Sequence, residues 1–320
     1  SPFVAHVLLT TGASLATVAA NIFVLRFLAE GFGTERFGAY SLACRLTAFL
    51  APFSTLALGT ALPRFLSLSA SERAKREYLL SGFLLGMAPN LLILTAGVLW
   101  SGSLTQLIFH DARYQTLFLM TLFWIIAFFF YSILDAFYFG SGKIKKANLW
   151  QIFLGSIGPL LIAVGFSRQG NVEGVVFLLG VLYLTSLVPL GFYLFSAIVT
   201  KPAWTEIGSC TKELLGYALP RIPARFVLAT LFSLGPFLAP HFGSLQDAGF
   251  LMVGLMVFRI AELGSTAFGR VILPKAGELF SEGRQEYLKE RIEDIVTFVF
   301  QIGLFVTLQM TLWSGPIILA

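Results

Sequence analysis

Uninterrupted apolar runs of about 20 residues or more recur along the whole of this 320-residue chain, and that pattern restricts its fold more than any motif. The runs fall at about 3–28, 38–62, 79–100, 114–139, 147–167, 174–199, 217–240, 248–273 and 293–318. A soluble amphipathic helix repeats its apolar stripe every three to four residues, and a barrel strand alternates faces. These runs do neither, so each reads as a helix apolar on all sides and fit to cross a bilayer. Charged residues make up 12% of the chain and apolar ones 57%, against about 25% and about 45–50% in a soluble domain. The first run has no basic leader and is too long for a signal peptide, so it counts as a span.

Orientation follows from the connections, because cytoplasmic loops keep lysine and arginine. Those after the second, fourth, sixth and eighth spans carry Arg64, Arg73, Lys75 and Arg76; Lys143, Lys145 and Lys146; Lys201 and Lys212; and Lys275, Arg284, Lys289 and Arg291. The opposite connections carry Arg36, Arg113 and Arg168. Thirteen against three places the N-terminus in the cytoplasm. The net charge of +5 is thus a topology signal and gives no reason to expect nucleic acid as a partner. Cys44 and Cys210 fall at different depths, so neither a disulfide nor a cysteine metal site is expected.

A repeat organises the spans. Leu62-Pro63-Arg64 returns 211 residues later as Leu273-Pro274-Lys275, and at the same offset Gly38 matches Gly249 and Ser54-Thr55 matches Ser265-Thr266. Both copies end in a basic connection, so they share an orientation and an even number of spans separates them, as in parallel transporter repeats. A six-span unit makes 1–199 the first lobe, and 200–320 a second lobe of which three spans are present. The expected fold is an all-α integral membrane protein of two pseudo-symmetric six-helix lobes, the second truncated, with the natural protein continuing past Ala320. Lys201-Pro202 through Thr211 reads as the linker between lobes. Gly12, Ala16 and Ala20 form a small-residue stripe suited to helix packing. Pro52, Pro89, Pro159, Pro189 and Pro236 lie inside spans and predict kinks.

Ionisable groups at membrane depth cost about 2.5–3.5 kcal/mol each on insertion scales, so they mark cavities or internal ion pairs. Arg259 and Glu262 share one face of the eighth span, either as a packing pair or as a cavity pair in which Glu262 neutralises Arg259 until an anion arrives. Arg45 lies too deep in the second span to reach the headgroups, whereas Arg26 is close enough to its span end to do so. In Tyr217-Ala218-Leu219-Pro220-Arg221-Ile222-Pro223-Ala224-Arg225 two arginines four apart open the seventh span. A guanidinium binds phosphate bidentately, so Arg221 and Arg225, joined by Arg270, form either a diphosphate docking patch or ordinary positive-inside anchors. Asp135 is a candidate for ion coupling together with Glu262, or a neutraliser of Lys143, Lys145 or Lys146. His6, His110 and His241 lack metal-ligand spacing. With no Walker A, Gly-x-Ser-x-Gly or His-Glu-x-x-His sequence and no long connection, neither an enzyme nor a cofactor is expected.

Leu25-Arg26-Phe27-Leu28 through Phe32-Gly33-Thr34-Glu35-Arg36-Phe37-Gly38-Ala39-Tyr40-Ser41-Leu42 resembles the first-to-second-span signature of Wzx-type polysaccharide flippases. Leu58-Gly59-Thr60-Ala61-Leu62-Pro63-Arg64-Phe65 and Leu273-Pro274-Lys275-Ala276-Gly277-Glu278-Leu279-Phe280-Ser281-Glu282-Gly283 are similar to that family's inner-end pattern. The resemblance implies the multidrug/oligosaccharidyl-lipid/polysaccharide exporter superfamily and its two six-span lobes around a central cavity. It implies an inner-membrane flippase for O-antigen or another surface polysaccharide such as lipopolysaccharide glycan, carrying a polyprenyl-diphosphate-linked oligosaccharide to the outer leaflet. Membrane lipids and polysaccharide assembly proteins are the partners it implies. On that reading Arg45, Arg221, Arg225, Arg259, Glu262 and Arg270 bind the anionic substrate.

Three alternatives stand beside it. A lipid II flippase shares the diphosphate. A drug/cation antiporter of the same superfamily calls for acids in the first and seventh spans, which hold none. A membrane-embedded oligosaccharide polymerase or ligase calls for a large outer loop, and the outer connections are short.

Overall fold

The computed structural model describes residues 2–69, 71–199 and 204–256, with isolated helical positions between 297 and 312. Arg259, Glu262, Arg270 and the second copy of the repeated motif, at 265–284, lie outside the described residues. Contacts divide the chain into two units, Ser1–Val253 and Gly254–Ala320, and the helices below, up to Val253, belong to the first. In chain order they are α1 Pro2–Thr55, α2 Leu58–Leu68, α3 Glu72–Leu99, α4 Ser101–Phe109, α5 Gln115–Gly140, α6 Ile144–Ile152, α7 Gly158–Phe166, α8 Val172–Leu184, α9 Leu187–Val199, α10 Trp204–Ala218 and α11 Ile222–Phe242. A last helix, α12, covers Leu245–Met256.

Among the described residues, six apolar helical stretches are long enough to cross a bilayer: Leu9–Thr55, Glu72–Leu99, Ala112–Gly140, Ile144–Gln169, Val172–Val199 and Trp204–Phe242. Their outward faces remain apolar, with Phe192 and Leu231 each 71% exposed, a surface that only lipid satisfies. The chain is an all-α, multi-pass membrane protein.

The 54 residues of α1 would extend about 80 Å if straight, well beyond a hydrocarbon core of about 30 Å. Gly33 breaks it with φ 72° and ψ 172°, a left-handed φ that only glycine adopts without penalty. The first arm, 2–32, runs beside α6 and α7: Asn148 donates to Thr10 at 3.1 Å and Ser156 to Thr17 at 3.1 Å. The second arm, 34–55, returns to place Ser54 on Asn90 of α3 at 2.8 Å. A second break follows at Leu56 and Ala57, both with positive φ, before α2 resumes.

Alternate connections gather at opposite rims. At one, Arg113 pairs with Glu35 at 3.4 Å and Arg36 donates to the Gly170 carbonyl at 2.6 Å. Asp111 caps the turn there, and the Arg113 side chain beside it holds its carboxyl below the ordinary carboxylate range. At the other rim, Arg73 pairs with Glu206 at 3.0 Å, Tyr78 donates to Glu213, and Lys143 lies 3.5 Å from the Tyr193 hydroxyl. Of the basic connections counted in the sequence, those at 64–76 and 143–146 belong to this second rim.

The segment expected to be a linker is helical from Trp204. Ile207, Cys210, Leu214 and Ala218 recur at helical spacing and bury one face of α10, which packs on α2 and α3. The outer connection between the third and fourth spans likewise folds into α4. Prolines act unevenly. A five-residue π turn at Phe153–Ile157 precedes Pro159, and α8 gives way to α9 four residues before Pro189. Pro89 and Pro236 sit inside continuous helices. The packed face of the first arm is Ala13, Thr17, Val24 and Leu28, one position round from the expected stripe. Gly12 has nothing within 4 Å of a would-be Cβ among the described residues.

Buried polar side chains hold this arrangement where no hydrophobic effect drives helices together. Asn90, 2% exposed, donates to the carbonyls of Ser54 and Gly86 at 2.8 Å and accepts from the Ser54 hydroxyl. Asn90→Leu removes all three bonds and leaves the Ser54 groups without their partner. A loss of about 1–3 kcal/mol is expected, measurable as earlier unfolding of the purified protein in a detergent titration.

Candidate functional site

The second arm of α1 meets α11 antiparallel, and residues along this seam separate into three levels. Nearest the first rim, a Cβ on Gly38 would lie 1.9 Å from the Leu245 carbonyl oxygen, so backbone meets backbone there. Gly249 of α12 completes the contact, with the Phe37 ring and the Gly38 nitrogen against it. The His110 and His241 rings meet beside this closure, tilted at 51° with centroids 5.1 Å apart, a pairing that sequence spacing does not reveal.

Midway along the arm stands Arg45, 7% exposed. Its Nη2 donates to the Met252 sulfur at 2.9 Å, and its carbonyl accepts from Ser233 of α11 at 3.4 Å. A thioether is a weak acceptor without charge, so Met252 orients this guanidinium and does not neutralise it. Toward the second rim the seam becomes aromatic. Phe49 contacts Phe237 and Phe226, and Phe53 packs edge-on against Phe226 at 4.8 Å.

At the second rim the Arg221 guanidinium lies against Tyr217, four residues before it. The Leu219–Arg221 turn folds Arg221 back over its own chain, its Cζ 3.5 Å from the centre of the Tyr217 ring and its Nη1 on the Tyr217 carbonyl at 2.5 Å. The second cation on that ring is Arg64 from α2, 4.3 Å from its centre. Arg64 was missed as a site residue because nothing in the sequence links position 64 to position 217. The one available signal was that it closes the repeated Leu-Pro-basic motif. Arg225 lies one turn into α11 and is exposed.

The structure therefore keeps Arg45 apart from the Arg64–Arg221 cluster, with the phenylalanine layer between. Arg26 pairs with Glu30 at 2.9 Å on an exposed face, as a side chain reaching for the headgroups does. Asp135 forms no ion pair with Lys143, Lys145 or Lys146 among the described residues. Lys143 instead lies over the rings of Phe137 and Tyr193. Asp135 is half-buried on α5, one turn from Tyr131, and its Oδ1 is buried without a hydrogen-bond partner. Cys44 and Cys210 are not joined by a disulfide.

No protein-family model matches this chain, and no curated protein matches it. A solved structure described as "protein A" superposes with a TM-score of 0.65 at 15% identity, over 95% of this chain and 71% of that one. At that identity the likeness is one of fold.

Proposed function

We propose that this chain is a flippase of the inner membrane. It carries a polyprenyl-diphosphate-linked oligosaccharide from the cytoplasmic to the outer leaflet for surface polysaccharide synthesis, by alternating access between two six-span lobes. The observation that carries this reading is Arg45, a guanidinium held at membrane depth on the seam between the first six spans and α11–α12. An arginine so placed is costly to insert and suits an anionic headgroup crossing the bilayer. Gly38 and Gly249 add support for the two-lobe architecture. They are equivalent positions of the repeat and they touch, as residues beside a pseudo-two-fold axis do. The seam is closed at the first rim, which suits loading from the basic, cytoplasmic side.

The test is complementation of a bacterium lacking its polysaccharide flippase with the full-length protein, quantifying surface glycan and inner-leaflet lipid-linked intermediate together. Restored glycan with falling intermediate supports flipping; unchanged levels of both in a glycan-matched strain would count against it. Asp135 favours a second reading, drug/cation antiport. It is an acid on the aromatic face Trp124, Phe128 and Tyr131, all near Tyr183. Efflux of a cationic dye, lost in Asp135→Asn, would move the assignment there.

A further inference from the structure

We infer that Arg64, Tyr217 and Arg221 form a loading site for the diphosphate of a lipid carrier, distinct from the buried Arg45. This deepens the transport reading and rests on it for the lipid source. The three residues come from both sides of the chain's midpoint: Arg64 from α2, Tyr217 from the end of α10, and Arg221 from the turn into α11. Pro220 helps set that turn, so Arg221 is locked over the ring by its bond to the Tyr217 carbonyl. The Arg64 guanidinium comes within 4.3 Å of the same ring centre and that of Arg221 within 3.5 Å, which puts the two cations within roughly 8 Å of each other.

Neither arginine pairs with a carboxylate among the described residues, although the rim is not short of acids. Glu72, Glu77 and Glu206 are taken by Lys75 and Arg73, and Glu213, one turn before Tyr217, accepts from Tyr78. Two guanidiniums at that separation repel only weakly at an exposed site, and each is attracted to the face of the ring. The aromatic ring thus holds two positive charges together without quenching either. A guanidinium carries five donors, so the Nη1 that Arg221 spends on the Tyr217 carbonyl leaves others for an anion, and two neighbouring guanidiniums suit two linked phosphates, one for each. Arg64 and Arg221 are exposed at the rim, where a prenyl-anchored headgroup arrives from the leaflet without leaving the bilayer.

The test is binding, independent of transport. Full-length protein in phosphatidylcholine nanodiscs is titrated with farnesyl diphosphate, farnesyl monophosphate and inorganic pyrophosphate. Farnesyl diphosphate is expected to bind about tenfold more tightly than the monophosphate, and Arg64→Gln or Arg221→Gln to weaken it about tenfold each. Tyr217→Phe keeps the ring and should retain binding, while Tyr217→Leu should lose it. Equal affinity for monophosphate and diphosphate, or unchanged binding in both arginine variants, overturns the site. Pyrophosphate binding as tightly as farnesyl diphosphate, or displacement of farnesyl diphosphate by phosphatidylglycerol in the disc, overturns the lipid-diphosphate assignment. Failed glycan complementation alongside intact, arginine-dependent diphosphate binding would strike the transport reading and leave this site standing.

Discussion

Arg45→Ala is expected to cut glycan export by at least about 100-fold while leaving the protein as stable as before or slightly more so. The two halves of that expectation have different causes. A hydrogen bond to a charged group contributes about 1.5–3 kcal/mol, and a phosphate engages a guanidinium through two, so about 3–4 kcal/mol of binding during translocation is lost, or more than two decades in rate. Against that, a buried arginine costs about 2.5–3.5 kcal/mol to place at membrane depth, a penalty alanine does not carry. The Met252 sulfur that the guanidinium gives up is a weak acceptor, and the Ser233 hydroxyl bonds the main chain, which the substitution leaves in place. A merely structural arginine would lose stability and activity together. Arg45→Lys keeps the charge without the planar fork and should fall between wild type and alanine. Surface glycan and accumulated intermediate measure the first half, and thermal unfolding of the purified variant the second. Export within about twofold of wild type in Arg45→Ala would remove the cationic-cavity mechanism.

The spans among the described residues were legible because continuous apolar runs have one economical solution in lipid, and the basic rim was legible because lysine and arginine gather on one side. What escaped was decided between helices. Pro202, Gly208 and Ser209 read as breakers of a linker over 201–211, while the apolar face of Ile207, Cys210, Leu214 and Ala218 makes sense only once α2 and α3 are there to receive it. The Gly12–Ala16–Ala20 stripe was a sound local pattern, yet the packing face is set by where Gly155 and Ser156 stand on the neighbouring helix. The i to i+4 spacing offers Arg225 as a neighbour of Arg221, whereas the meeting of Arg221 with Arg64 over Tyr217 is invisible to spacing, because Arg64 arrives from 157 positions earlier in the chain. The depth of Arg45 is legible because it can be counted along a run, and the structure buries the side chain. Its partners Met252 and Ser233, about two hundred positions away, are not legible.

Gly38→Ala should open the seam at the first rim. The new methyl would lie 1.9 Å from the Leu245 carbonyl oxygen and 2.6 Å from its carbonyl carbon, and both are backbone atoms that no rotamer change can move aside. The helices must separate or tilt, and overpacking of this kind costs about 1–3 kcal/mol. That cost applies only to the closed seam, so the substitution acts as a bias on an opening equilibrium, worth about 5- to 100-fold in the open population. Ala248 reports the opening. It is 0% exposed, adjacent to Gly249, so Ala248→Cys, in a background with Cys44 and Cys210 replaced, reacts with a membrane-impermeant maleimide only when the seam parts. Added from outside intact cells, the reagent is expected to label the Gly38→Ala protein about 5- to 100-fold faster than the parent. The neighbouring glycines set the scale. Gly249→Ala meets the Phe37 ring at 3.0 Å and should accelerate labelling less, and Gly12→Ala, with open space around it, should not change it. If Gly249→Ala and Gly38→Ala labelled at the parental rate, the contact at Leu245 would not be what closes this rim. Acceleration by Gly12→Ala as well would make the effect one of general loosening, with no particular role for the seam.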